Sequence, residues 1–106
     1  MMKSGIKGLV LIGCLYPTFV CAADQEIFIK NHQFSPAQIT IKAGDTVTWV
    51  NRDQDPHNVV DKTAAKKFRS PALDTEDRYS FHFDNKGTYS YFCTFHPTMV
   101  GAVIVE

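Results

Sequence analysis

Hydrophobic and polar residues alternate along most of the chain. Ile39 and Ile41 lie on one face of the segment QITIKAG, and Val47 and Trp49 lie on one face of DTVTWVN. A period of two residues is typical of β-strands with one buried face, because successive side chains point to opposite sides of a strand. The pattern therefore predicts short, half-buried strands, and no helical period of useful length interrupts them.

The same alternation continues towards the C-terminus, in RYSFHFD and TYSYFC, and a β-branched run, GAVIVE, ends the chain. Tyr89, Tyr91 and Cys93 are in phase, so a strand that buries the two tyrosines also places the thiol at its inner edge. Turn residues in KAGD and DNKG separate the strands. We predict a small antiparallel β-sandwich or barrel, with a short helical turn possible at residues 64–68.

The N-terminus has the layout of a secretory signal peptide. Lys3 and Lys7 precede an apolar stretch, GLVLIGCLYPTFV, which is short for a membrane span, and the small residues of VCA precede polar sequence. We predict that residues 1–22 are a cleaved signal and that residues 23–106 form one domain in the periplasm. A buried helix or a retained anchor is the alternative, and LIGC resembles a lipoprotein cleavage box that would lipidate Cys14.

Removal of the signal peptide would change both the net charge and the number of cysteines. The whole chain has 11 basic and 11 acidic residues, so loss of two lysines leaves a slightly acidic domain. Nucleic-acid binding requires a strong basic excess and is not expected. Cys93 would be the sole cysteine of an exported chain, where cysteines usually pair. Such a thiol is either reactive or bound, and coordination to a metal would shield it from oxidation.

A cluster of soft ligands follows the strand that ends at Cys93. Residues 93–99, CTFHPTM, place a thiol, an imidazole and a thioether three residues apart. A four-ligand site needs one more group, and the natural candidate is His57, because the preceding proline turn can present it at the end of the sandwich. His82 is out of phase with the buried aromatic residues and should be a surface residue. His32, near a strand end, should lie at the surface or beside the ligands.

This set of ligands indicates copper. Zinc rarely takes methionine, and structural zinc sites favour several cysteines. Calcium and magnesium prefer oxygen ligands. Two histidines and a thiolate in a plane, with a long axial thioether, form the blue-copper arrangement. A geometry between the preferences of Cu(I) and Cu(II) changes little when an electron arrives or leaves, which fast electron transfer requires.

Other interpretations remain open from the residues alone. The cluster could be accidental, or Cys93, His57 and Asn58 could imitate a catalytic set, although so small a sandwich has little room for a substrate cleft. A copper enzyme would need an open coordination position or a second metal centre, so no catalysis is expected. The alternative function is a periplasmic copper-binding protein for copper storage, delivery or resistance. After cleavage, however, Met99 is the sole methionine, so there is no methionine-rich surface.

The chain resembles the cupredoxins, or type 1 blue copper proteins, and most closely the amicyanin and plastocyanin-like group. The segment ITIKAGDTVTWVNRD is similar to the family's second and third strands, PHNV to its first ligand loop, and GTYSYFCTFHPTMVGAVIVE to its last ligand loop and strand. The resemblance covers nearly all of residues 25–106 and implies an all-β, Greek-key β-sandwich with one type 1 copper ion. It implies four copper ligands, with the last of them axial: His57, Cys93, His96 and Met99.

The resemblance also implies roles around the ligands. Asn58 would donate a backbone N–H to the cysteine sulfur and fasten the ligand loop near Thr94. Because the last histidine ligand would face solvent, Phe95, Pro97 and Thr98 would form the docking surface for redox partners. These partners would be transient, such as a c-type cytochrome, an oxidase or a dehydrogenase.

The expected carrier is a monomer with no membrane span in the mature chain. Charged residues near the ligand loops, among them Asp53 and Asp55, are expected to bias the orientation of a partner. The sequence differs from amicyanins at Phe95, where those proteins tend to have proline.

Overall fold

The computed structural model describes residues 22–106, which form a sandwich of two four-stranded sheets. The strands, in chain order, are β1 (Asp24–Lys30), β2 (Gln33–Ser35), β3 (Gln38–Ile41), β4 (Thr46–Asn51), β5 (Val60–Asp61), β6 (Arg78–His82), β7 (Gly87–Phe92) and β8 (Val100–Val105). The first sheet has the strand order β2-β1-β4-β6 and the second has the order β3-β8-β7-β5. This confirms the predicted all-β sandwich, and the described residues contain no helix.

The predicted signal peptide falls almost entirely on residues 1–21, which lie outside the described residues, so it stays a prediction. Within the described part of the chain, no helix is long and apolar enough to cross a membrane.

Both sheets are mixed, where the sequence pattern predicted antiparallel pairing throughout. β1 is parallel to β4, and β3 is parallel to β8, while the other neighbouring strands are antiparallel. An antiparallel pair can be joined by a tight hairpin, but a parallel pair needs a crossover. The chain passes through β3 in the opposite sheet between β1 and β4, and this crossover makes their pairing parallel.

The core lies between the sheets and follows the predicted alternation. Val47 and Trp49 of β4 are fully buried, and so is Tyr91 of β7. The Trp49 ring packs edge-on against Tyr91 at a centroid distance of 5.3 Å. Thr48 alternates with these residues and so points to the opposite face of the sheet, yet it is also buried, because β4 lies between β1 and β6. Its hydroxyl is paired with that of Ser80 at 2.7 Å.

The segment between β5 and β6 is irregular. Residues 63–66 form a turn closed by the bond from Lys66 N–H to the Thr63 carbonyl, 3.2 Å, and the helical turn considered for residues 64–68 is absent. The Asp61 carboxylate accepts hydrogen bonds from the backbone N–H groups of Thr63 and Lys67, so these groups do not enter a helical ladder. This arrangement brings Phe68 into the core, where it stacks on the indole of Trp49.

Gly101 is the position in β8 where the fold leaves no room for a side chain. It lies opposite Tyr91 of β7, and a Cβ atom there would overlap the Cζ and hydroxyl of that ring. Because Tyr91 is fully buried, it has no free space into which to move. We expect Gly101→Ala to lower the free energy of unfolding by about 1–3 kcal/mol, as overpacked core substitutions do.

Urea unfolding of the copper-free protein measures this effect. Val103→Ala, a change at a fully buried position of the same strand, is an informative comparison, since it removes volume where Gly101→Ala adds it. Adding Tyr91→Leu should rescue Gly101→Ala but worsen Val103→Ala. If Tyr91→Leu changed the stability of Gly101→Ala and of Val103→Ala in the same direction, steric overlap would not be the cause.

Candidate metal centre

The four proposed ligands come from two loops at one end of the sandwich. His57 is fixed by two backbone hydrogen bonds with Leu73, of 3.1 and 2.7 Å. Cys93 follows the end of β7, and the segment from there to β8 carries His96 and Met99. His57 and Cys93 are fully buried, Met99 is 5% exposed, and His96 is half-buried. The structure therefore brings together residues that are 36 positions apart in the sequence.

Backbone hydrogen bonds hold the loop from residue 93 to residue 99 in a compact conformation. His96 N–H donates to the Cys93 carbonyl at 3.3 Å, and Met99 N–H donates to the His96 carbonyl at 2.8 Å. Cys93 N–H in turn donates to the Met99 carbonyl at 3.2 Å. These consecutive turns explain the three-residue spacing, since each turn brings the next ligand residue back towards the same centre.

The donor atoms are spaced as a bound metal ion would require. The Cys93 sulfur lies 3.7 Å from Nδ1 of His57 and 3.9 Å from Nδ1 of His96. With thiolate and imidazole bonds of about 2.3 and 2.0 Å, a trigonal plane would separate sulfur from nitrogen by about 3.7 Å. The three side chains, which we call the inner site, thus need little movement to hold an ion.

Met99 lies in the same buried cluster of the core as Cys93. Its backbone is tied to both Cys93 and His96, so its position is fixed relative to the inner site. This placement is consistent with a weak fourth ligand, for which a thioether is suited.

A buried carboxylate orients the first histidine. Asp53 Oδ2 lies 2.9 Å from Nε2 of His57, and Asp53 is 8% exposed. If Nε2 carries the proton and donates it to Asp53, the Nδ1 lone pair is free to face Cys93, which is how carboxylates commonly orient histidine ligands. Burial opposes ionisation of Asp53, but hydrogen bonds from the backbone N–H groups of His32 and Asn31, together with the His57 ring, hold its pKa below the ordinary value.

This role was missed by the sequence analysis, which expected Asp53 to be a surface charge that steers partners. The four-residue spacing from Asp53 to His57 is the one signal available in the sequence, and it is weak in a polar loop. Asp55 is exposed and remains available for such steering.

Asn58 joins the two loops that carry the proposed ligands, through contacts with Thr94. Its side-chain amide donates to the Thr94 hydroxyl and accepts from Thr94 N–H, both at 2.8 Å. The predicted hydrogen bond from Asn58 N–H to the Cys93 sulfur is not seen within residues 22–106, where that sulfur instead contacts the two imidazoles.

The residues next to His96 in the chain are largely exposed. Phe95 is 50% exposed, and Pro97 and Thr98 are exposed beside it. Val100, which was not among the predicted docking residues, is 49% exposed and follows Thr98 by two positions. We call these four residues the apolar patch.

The two remaining histidines differ in their surroundings. His82 is exposed and pairs with Asp84 at 2.8 Å, which agrees with the expected surface position. His32 is also exposed, but its ring packs against that of His96 at a centroid distance of 4.4 Å, with the two ring planes inclined by 35°.

Comparisons with known proteins agree with this site. The chain matches the family described as copper binding proteins, plastocyanin/azurin family, over residues 21–106. It is 41% identical over 88 residues to amicyanin-alpha of Methylorubrum extorquens, covering 80% of this chain and 74% of that protein. It is 42% identical over 81 residues to amicyanin of Paracoccus versutus, covering 74% of this chain and 61% of that protein.

Solved structures of copper proteins are also similar to this chain. A Cu(I) form of an amicyanin mutant superposes with a TM-score of 0.74 at 36% identity, covering 78% of this chain and 82% of that chain. A purple cupredoxin from Nitrosopumilus maritimus superposes with a TM-score of 0.73 at 37% identity, covering 78% of this chain and all of the other.

Proposed function

The chain belongs to the plastocyanin/azurin family of copper-binding proteins, and on that basis we propose that it binds one type 1 copper ion and carries single electrons. The observation that supports this most directly is the buried Cys93 thiol, which has an imidazole Nδ1 within 4 Å on two sides. His57, Cys93 and His96 would be the strong ligands and Met99 the weak one. When bound, copper supplies the one-electron chemistry by changing between Cu(II) and Cu(I).

The chain itself supplies a rigid set of metal-binding side chains that is largely shielded from water. Hydrogen bonds of the loop backbone fix Cys93 and His96, and the Asp53 carboxylate fixes the His57 ring. Since the fold holds the donors near their bonding distances, small movement accompanies a change of oxidation state. A protein of this kind acts as a carrier of electrons and not as an enzyme.

Electrons would enter and leave through His96, because it is the proposed ligand that reaches the surface. The apolar patch adjoins this ligand along the chain, and such a surface suits brief docking since it loses water easily. The exposed His32–Asp55 pair lies beside the same ligand and would bias the orientation of a partner. The partners would be soluble or membrane-bound redox proteins of the periplasm, such as a c-type cytochrome, an oxidase or a dehydrogenase. We also propose that the protein is exported to the periplasm and acts there as a monomer.

Phe95→Lys tests the docking surface. Phe95 is no proposed ligand, so the visible spectrum of the copper protein should be nearly unchanged. Electron self-exchange should slow markedly, because two identical molecules would meet through patches that now carry like charges. Line broadening in NMR spectra of mixed Cu(I) and Cu(II) protein measures the exchange rate, and raising the salt concentration should partly restore it.

Thr88→Lys is the matched control, since it adds the same charge at an exposed position near the other end of β7. It should leave self-exchange close to that of the wild type. An unchanged rate in Phe95→Lys would show that docking occurs elsewhere. Slow exchange in the wild type, with ready transfer of copper to a chelator, would favour the copper-delivery function instead.

A further inference from the structure

The inner site is closed on most sides. His57 and Cys93 have no exposed surface, and Met99 has 5%, whereas His96 is half-buried. An ion that arrives from solvent therefore meets His96 before it meets the other proposed ligands.

A second group of ligating side chains lies at this opening. His32 Nε2 is 2.8 Å from Asp55 Oδ2, and the side chains of the two residues are 47% and 60% exposed. One ligand atom from each of His32, Asp55 and His96 lies within 4.8 Å of the others. We call these three residues the outer site, and it shares His96 with the inner site.

The backbone at His32 is held in an unfavourable conformation. Asn31 and His32 both have positive φ, 55° and 57°, and form the two-residue turn between β1 and β2. Turns of this type favour glycine at the second position, because a Cβ atom is crowded there. Strained residues concentrate at functional sites, so an imidazole kept where glycine would be easier suggests a role for that imidazole.

The fold also fixes this turn relative to the inner site. Asp53 accepts the backbone N–H of Asn31 at 2.7 Å and that of His32 at 2.9 Å. The same carboxylate contacts the His57 ring at 2.9 Å. One buried side chain thus holds His32 of the outer site and His57 of the inner site in a constant arrangement.

We propose that the outer site captures copper from solvent and passes it to the inner site through the shared His96, an inference that rests on the proposed copper function. Two imidazoles and a carboxylate suit Cu(II), whereas the thiolate of the inner site binds copper more strongly. Transfer inward is therefore favourable, and the thiol proton is released to solvent as Cys93 coordinates the ion. When the inner site is filled, His96 is occupied, so the outer site retains too few ligands to hold a second ion.

Rapid mixing of the copper-free protein with Cu(II) salt tests this proposal, with growth of the visible thiolate-to-copper band as the signal. In the wild type, the observed rate should level off as Cu(II) concentration rises, because capture precedes transfer. His32→Gly removes the imidazole and suits the positive φ, and Asp55→Asn removes the charge at nearly constant shape. Each should slow uptake by about tenfold or more, the range seen when a partner of a metal ligand is lost.

The His82–Asp84 pair provides the matched control. It has the same chemistry, the same 2.8 Å contact and comparable exposure, but lies at the far end of β6 from the ligand loops. His82→Ala and Asp84→Asn should take up copper at the wild-type rate.

The outcomes separate the inference from the function on which it rests. If the wild type develops no band, the proposed copper function fails. If the band develops and both outer-site variants take up copper as fast as the wild type, the copper function stands and the outer site is overturned. Slowing in the His82 and Asp84 variants as well would also overturn it, since the effect would then be one of general surface charge.

Discussion

Cys93→Ser is expected to abolish the intense visible band of the copper-loaded protein. The band requires a thiolate that donates charge to Cu(II), and a serine hydroxyl stays protonated at neutral pH and cannot replace it. Cys93 is fully buried and serine is similar in size, so the sandwich should remain folded. The measurement is the visible spectrum after addition of one equivalent of Cu(II), together with the copper content of the protein and its circular dichroism.

Met99→Leu is the contrasting variant. Met99 is proposed as the weak axial ligand, so the leucine variant should still bind copper and remain strongly coloured. Its reduction potential should rise, because the axial ligand tunes the potential of such sites and thioether donation is lost. A serine variant at position 93 with a strong blue band would show that the thiolate assignment is wrong.

The pattern of residues predicted five of the eight described strands, β3, β4, β6, β7 and β8, but it did not single out β1, β2 or β5. Tyr89, Tyr91 and Cys93 are 6%, 0% and 0% exposed, as their common phase required. This works because the period of two is a local property of a strand and does not depend on which strand lies beside it. The place of the thiol at the inner edge of the sandwich followed from the same argument.

The pairing of strands could not be obtained in this way. Alternation is the same in a parallel and an antiparallel strand, so it does not reveal that β1 is parallel to β4. That arrangement depends on the path of the chain between the sheets, which passes through β3.

The surroundings of the proposed ligands were not predicted from the sequence. His32 contacts the ring of His96, and Asp53 accepts hydrogen bonds from a turn 22 and 21 positions earlier. Such contacts join distant segments and leave no period in the sequence. A buried carboxylate is also unusual unless it is paired, so Asp53 in a polar loop looked like an ordinary surface residue.

Removal of the Asp53 carboxylate is expected to have a large effect on stability. Three donors point at this side chain: the backbone N–H groups of Asn31 and His32 and the ring of His57. Hydrogen bonds to a charged group contribute about 1.5–3 kcal/mol each, and the His57 ring is buried, so Asp53→Ala should lower the free energy of unfolding by about 3 kcal/mol or more. Since folded domains are stable by about 5–15 kcal/mol, this change is a substantial fraction of the total.

Asp53→Ala should also weaken copper binding, because nothing then holds the His57 ring with Nδ1 towards Cys93. Loss of such an orienting partner typically lowers metal affinity by about 10–100-fold. Asp53→Asn should be intermediate in both respects. In the wild type, the His32 N–H and the His57 ring share Asp53 Oδ2, and the asparagine amide oxygen can accept from both. The asparagine NH₂ group, however, would face the Asn31 N–H, which is also a donor.

Urea unfolding of the copper-free protein and competition for copper with a chelator measure the two effects separately. Asp55→Asn is the control for stability, since Asp55 is an exposed carboxylate two positions away, and its replacement should change the free energy of unfolding by about 0.5 kcal/mol or less. Wild-type stability in Asp53→Ala would mean that the turn and the His57 ring are held by other contacts. Wild-type copper affinity with reduced stability would mean that the carboxylate supports the turn alone and that backbone bonds to Leu73 suffice to orient His57.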